Sequence, residues 1–304
     1  MRPFGRAVSR FWFAPQSVAT VAIVRIAFGV VTVAWTLSLA PDLRTFFSRS
    51  GLVSVQPSHP FWIGVLSPAA PDWLVFAAWA ALLVSAVWLT VGYHARLASV
   101  LVFVGILSFE RRNPFIFNAG DLLIRNLAIF LMFMPTGLAL SLDARRRRRR
   151  ATGPPGETLP LRAPWALRLV QIQLTIVYAA TVWAKLRGTT WKDGTAVSYA
   201  LRLDEYARFR AASFITTSAP IAHLLTYGAL AIEISIALLV WNRRARPWVL
   251  AAGAVMHIAI AINIMIGFFT MAMLVAYLSF VPPDTAERVA ARWKRIGDVS
   301  AQRS

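Results

Sequence analysis

The 304-residue sequence carries 32 Lys+Arg against 13 Asp+Glu, a formal net charge of +19, yet only 15% of its residues are charged and 58% are hydrophobic. A soluble domain has closer to about a quarter charged residues, so lipid is the expected solvent. The absence of cysteine excludes disulfides, thiolate metal sites and a cysteine nucleophile. The basic residues sit in short blocks between apolar runs, not along an aromatic-studded groove, which excludes nucleic acid as the expected partner.

The first apolar run, 19 to 40, is interrupted by Arg25 and followed by no small-residue cleavage pattern, so it is expected to stay in the protein as a membrane helix instead of a signal peptide. Residues 57 to 71, rich in proline and aromatics, read as an interfacial segment. Further apolar runs follow at 73 to 92, 96 to 109, 121 to 140, 164 to 187, 219 to 241, 247 to 264 and 267 to 282. Asn263 and Gly267 divide the last two into a helical hairpin. The expected fold is all-α, a polytopic transmembrane bundle of about eight helices in a single domain over 1–304, placed in the cell (plasma) membrane with the lipid bilayer as its principal partner.

With the N-terminus placed in the cytoplasm, the alternating loops hold 19 Lys and Arg inside and 9 outside. That excess fixes an N-in, C-in orientation. It makes the Arg-rich loop 142–163, with its block Arg145 to Arg150, and the basic tail 283–304 cytoplasmic. The block reads as a solvated topology anchor, with a lipid-binding patch as the alternative. The abundance of alanine, arginine and tryptophan, with only three lysines, suggests GC-rich bacterial coding.

Charges inside spans are expensive, roughly 2.5 to 3.5 kcal/mol at a helix centre, so each needs a reason. Lys185, at the outer end of the fifth span, is unusual among 29 arginines. A lysine can lose its proton in a desolvated site and act as a base, which arginine effectively cannot. The alternative is a lysine snorkelling to the headgroups. Gln171, Tyr178 and Lys185 recur every seven residues and fall within about 40° of one another on a helix, with Thr175 near the same stripe. Such a face should avoid lipid.

In the fourth span Asn118, Asp121 and Arg125 form a second polar face, in which Asp121 caps the helix and pairs with Arg125 if its role is structural. His223 and Tyr227 lie one turn apart near the outer end of the sixth span. Together these side chains are expected to line an outward-facing pocket. Arg25 and Glu233 both lie roughly 9 to 12 Å from the inner boundary and are expected to form a buried ion pair. His257 reads as a hydrogen-bonded core residue, and histidines at 59, 94, 223 and 257 show no metal-ligand spacing.

The stretch from Tyr178 through Lys185-Leu186 to Trp191-x-x-Gly194-x-Ala196-x-x-Tyr199 resembles the HTTM (horizontally transferred transmembrane) domain family, related to the membrane domain of vitamin K-dependent gamma-carboxylases. Arg25-Ile-x-x-Gly29, Arg112-Asn113, Asn118-Ala-Gly-Asp121, Gln171-Ile-Gln173, Glu233 and His257 agree in order, so the resemblance spans nearly the whole chain. It implies that Lys185 is a catalytic base and that a reduced quinone of the vitamin K or menaquinol type is the cofactor, which makes the polar faces a candidate quinol site with Asn118, Asp121, Arg125, Gln171, Tyr178, Trp191, His223 and Tyr227 as the expected pocket residues. Arg125 then stabilises an anion.

Two departures from the carboxylases bear on this. The chain is expected to end just after its bundle, lacking the large lumenal domain that docks propeptides, and Phe117-Asn118-Ala119-Gly120-Asp121 stands where the carboxylases use a histidine. The short membrane-only form also resembles bacterial relatives in the maturation of the sporulation-delaying peptide toxin. This implies the alternative of a non-enzymatic partner in peptide maturation or export.

Overall fold

The computed structural model describes residues 3–52, 65–67, 69–150 and 159–301, without the side chains of Pro3 and of 293–301. His59 and most of the expected interfacial segment lie outside the described residues. Every apolar run read from the sequence contains a helix, and the described residues divide into two compact units: 1–170 with 278–304, and 171–277.

In unit 1, α1 (Pro3–Phe13) precedes α2 (Ala19–Ser38), whose course continues through a short 3-10 turn and a π turn to Phe47. Then come α3 (Asp72–Val91), α4 (Ala95–Arg112), α5 (Ala119–Phe133) and α6 (Leu142–Arg150). Helices α2 to α5 pack in sequence order, α2 on α3, α3 on α4 and α4 on α5. The contact of α3 with α4 is close because Gly105 faces Leu82, whose side chain occupies the space a Cβ would need. The turn between them is made by Gly92, left-handed at φ 71°.

Arg25 fixes one end of this unit. Its guanidinium is fully buried and donates to the carbonyls of Leu89 (2.9 Å), Thr90 (3.2 Å) and Leu140 (2.5 Å). Two of these are at the C-terminus of α3, where the last carbonyls have no partner inside their own helix. Arg25 thus performs a capping role, and the expected ion pair with Glu233 is not formed. Glu233 has its own cation, described below. Shared depth confines two residues to a layer but leaves their direction around the helix axis open.

The same end gathers the basic segments. β1 (Gln16–Ser17) pairs antiparallel with β2 (Leu161–Arg162), and Thr20 donates to the carbonyl of Val281 ahead of α14 (Pro283–Ala301). Helix α14 buries Ala286 and Ala290 and packs on α2 and β1. The N-terminal arm, the arginine segment and the start of the tail therefore meet at one end of unit 1, as the charge count requires. The arginine block is not the solvated loop expected from six adjacent charges; it is the helix α6. Asp143 in its first turn accepts from the backbone N–H groups of His94 (2.9 Å) and Ala95 (2.8 Å), tying α6 to the start of α4.

Unit 2 begins within α7 (Trp165–Arg187) and continues through the short helices α8 (Thr189–Lys192), α9 (Ala196–Leu201) and α10 (Ser213–Thr217) to α11 (Ala219–Leu239), α12 (Arg246–Asn263) and α13 (Phe269–Leu278). Helices α11 and α12 pack together. The chain between α12 and α13 is tied to the loop before α10, where Arg208 N–H donates to Asn263 (2.9 Å) and Met265 N–H donates to Tyr206 (2.7 Å).

Among the described residues, five segments are by length and composition apolar enough to cross a membrane on their own: Ala19–Phe47, Asp72–Val91, Trp165–Arg187, Ala219–Leu239 and Arg246–Asn263. The count differs from the expected eight because α4, α5 and α13 fall short of this length or composition. Helix α4 carries charges at both ends, α5 stops after 15 residues ahead of Pro135, and α13 has only 10 residues, about 15 Å of helix against a core of roughly 30 Å.

Two outcomes test this description. Single cysteines replacing Arg148 and Ser213 should be labelled from opposite sides of sealed vesicles. Labelling of both from the same side would overturn the orientation. Arg25→Ala should lower stability by roughly 2 to 4 kcal/mol in detergent unfolding, because three carbonyls lose their donor.

Candidate functional site

The local sequence of α7 explains how Lys185 comes to hold a buried partner. Ile176 and Trp183 are 60% and 67% exposed, whereas Tyr178 and Gln171 on the seven-residue stripe are buried. The helix thus turns aliphatic and indole surface outward and the polar stripe inward. Lys185 lies in the last turn, where a cation also complements the partial negative charge of the helix terminus.

Lys185 Nζ donates to Glu233 Oε1 at 2.5 Å, and the two side chains are 20% and 8% exposed. The ammonium also lies 4.3 Å from the centroid of the Trp191 ring. Trp191 reaches this position because the chain leaves α7 at Gly188 and enters α8 immediately. After α8, Gly194 takes a left-handed conformation, φ 73°, and a Cβ there would stand 2.6 Å from His223 and 2.9 Å from Tyr227. The glycine of the Trp-x-x-Gly motif is therefore required twice, by the turn and by the rings packed against it. Tyr227 in turn donates to the carbonyl of Lys192 at 2.7 Å. His223 and Tyr227 serve here as supports of the turn carrying Trp191.

Two turns before Lys185 on α7, Tyr178 forms a second network. Its hydroxyl bonds to His257 Nε2 at 2.7 Å and to the hydroxyl of Tyr277. With Nε2 as the acceptor, Tyr178 donates to His257 and accepts from Tyr277. Thr270 donates to the backbone carbonyl of His257 at 3.1 Å, joining α13 to α12. Tyr277 approaches α12 beside Gly253, where a Cβ would meet its hydroxyl and Ile236. Among the described residues, Glu233 Oε2 and His257 Nδ1 are buried polar atoms without a hydrogen-bond partner.

The structure therefore brings Tyr178, Lys185, Trp191, Glu233 and His257 together, with His223 and Tyr227 beside Trp191. Gln171 is buried at the start of the stripe, and Thr175 accepts from Trp241 at 3.0 Å. Sequence reading missed Tyr277, which stands in an apolar run and leaves only its hydroxyl as a signal. It assigned Glu233 to the wrong cation.

Asn118, Asp121 and Arg125 belong to unit 1 and form a cluster there. Asn118 accepts from Gly120 N–H and Asp121 from Asn118 N–H, both at 2.7 Å, a reciprocal cap on α5. The expected Asp121–Arg125 pair is replaced by two others. Trp35 donates to Asp121 Oδ1 at 2.7 Å, and Arg125 pairs with Glu110 at 2.6 Å. A carboxylate turned back to cap its own helix is pointed away from the residue one turn onward. Trp35 and Glu110 lie on other helices, and spacing along one helix could not reveal them.

These pairs predict a graded response. Lys185→Met leaves Glu233 buried and unpaired and should cost about 3 to 5 kcal/mol, whereas Lys185→Met with Glu233→Leu should regain much of that loss. Thermal unfolding of both variants checks it. Equal destabilisation would show that the pair does not hold the helices.

The HTTM domain model matches residues 13–285. Neither the curated proteins nor the solved structures return a match. The matched range contains both polar clusters and the five long apolar segments of the described residues. The chain is an integral membrane protein of the HTTM domain family.

Proposed function

We propose that unit 2 carries carboxylase-like base chemistry at Lys185, dependent on a reduced quinone. The observation behind this reading is the pair of the half-buried Lys185 with the buried Glu233, beside the Trp191 ring. In a dry site both charges are costly, and transfer of one proton from the ammonium to the carboxylate removes both at once. Glu233 is thus the group that frees the Lys185 amine to act as a base, and it holds the displaced proton until the amine needs it again.

The residues around the pair fit a flat, partly polar ligand. Trp191 offers a ring face, and Glu233 Oε2 and His257 Nδ1 are buried polar atoms that a hydroxyl or carbonyl can satisfy. A bound quinol supplies a weakly acidic hydroxyl and a reducing electron pair. Tyr178 and Tyr277 hold His257 in one orientation, so that its second nitrogen keeps a fixed position. The rival function, a non-enzymatic partner in peptide maturation or export, needs the same residues only as a hydrogen-bonded joint between helices.

Lys185→Arg separates the two readings. It keeps the cation and its pairing with Glu233 but removes the base. In purified protein reconstituted with a menaquinol and dioxygen as the acceptor of its two electrons, quinol consumption should fall by about a hundredfold or more while thermal stability changes little. Unchanged consumption in a folded variant, or none in the unmodified protein, would sink the catalytic reading. Mass spectrometry of lipids extracted with the purified protein provides a second readout, in which a quinone retained by the unmodified chain and lost with Trp191→Ala supports the site.

A further inference from the structure

The longest run of like charge in the sequence, Arg145 to Arg150, lies at the basic end of unit 1, and the proposed chemistry makes no use of it. All six side chains from Arg145 to Arg150 are exposed. They are held on a fixed helix, not a tether, because Asp143 binds two backbone N–H groups at the start of α4 and Ser141 accepts from Ala144 N–H at 3.0 Å. Arg146 rests over the Tyr93 ring at 4.4 Å, which steadies the row further. Guanidinium groups arrayed this way suit phosphate oxygens, which they can bind in bidentate fashion.

The second observation concerns α1. Along this helix Phe4, Val8, Phe11 and Trp12 fall on one side, and Arg6 and Arg10 fall opposite. Phe4 is 80% and Val8 40% exposed, so this apolar face is not consumed by packing within unit 1. The helix leads directly into β1, whose partner strand β2 follows the arginine helix in the chain. An exposed aromatic face with arginines behind it matches the interface of a bilayer, where rings enter the acyl boundary and cations meet headgroups. A soluble polyanion accounts for the arginines and leaves Phe4 in water.

We propose that the basic end of unit 1 is a binding site for anionic phospholipid, with α1 lying in the membrane interface and Arg145 to Arg150, aided by Arg6 and Arg10, holding the phosphate headgroups. The arginine block then does more than set topology. It selects the lipid that surrounds this end of the protein.

Native mass spectrometry of the full chain in detergent, titrated with phosphatidylglycerol or phosphatidylcholine, tests this without reference to orientation. Phosphatidylglycerol should be retained at roughly tenfold lower concentration, since each arginine near a headgroup contributes several-fold. Replacing Arg145 to Arg150 by glutamine should abolish the preference, and replacing them by lysine should keep it. The change Phe4→Ser with Val8→Ser should weaken retention of both lipids. Should the glutamine variant fail to fold, raising salt on the unmodified protein serves instead and should erase the preference. Equal retention of the two lipids overturns the proposal, as does a preference that survives the glutamine change or high salt. Displacement of bound phosphatidylglycerol by a short single-stranded RNA that binds equally tightly also overturns it.

Discussion

Hydrocarbon provides no hydrogen-bond partner, and this requirement shapes both units more than any apolar contact does. Each charge that enters a span must find its counterpart on another segment of protein. In unit 1, Arg25 satisfies carbonyls left open at the end of α3, Trp35 secures the carboxylate that caps α5, and Glu110 meets Arg125. In unit 2, Lys185 meets Glu233, and Tyr178 joins His257 and Tyr277. Aliphatic packing against lipid-like neighbours is almost indifferent to rotation of a helix about its axis. The polar contacts supply that missing direction.

This division of labour also explains what the amino-acid sequence disclosed. Apolar runs located the helices, and the stripe Gln171–Tyr178–Lys185 correctly marked the inward face of α7, because both signals are periodic along one segment. Partners across helices are not periodic. Arg25 and Glu233 share a depth yet face different neighbours, and Asp121 is claimed by a tryptophan 86 positions earlier in the chain. The arginine helix is an instructive middle case. Six like charges argue for an extended loop, but Ser141 and Asp143, directly before them, are the usual helix-starting residues and carry the opposing signal.

If the Lys185–Glu233 pair carries the proposed chemistry, it has two roles that pull on it differently. As a joint, it is strongest when both groups stay charged. As a source of a free amine, it must be able to surrender those charges at modest cost. The Trp191 ring lies against the ammonium and favours the cation, so a change at position 191 acts on both roles at once.

Gly253 shows how such a balance extends beyond the groups that carry it. The hydroxyl of Tyr277 occupies the space that a side chain at 253 would fill, with Ile236 closing the other flank. One added methyl would push the phenol away from α12, and Tyr178 and then His257 would have to follow it or release it. The room for the hydroxyl cluster is created by an atom that is absent. A residue with no functional group thereby sets the positions of three that have one, and the freedom of this sequence to vary narrows at a glycine as sharply as at the lysine itself.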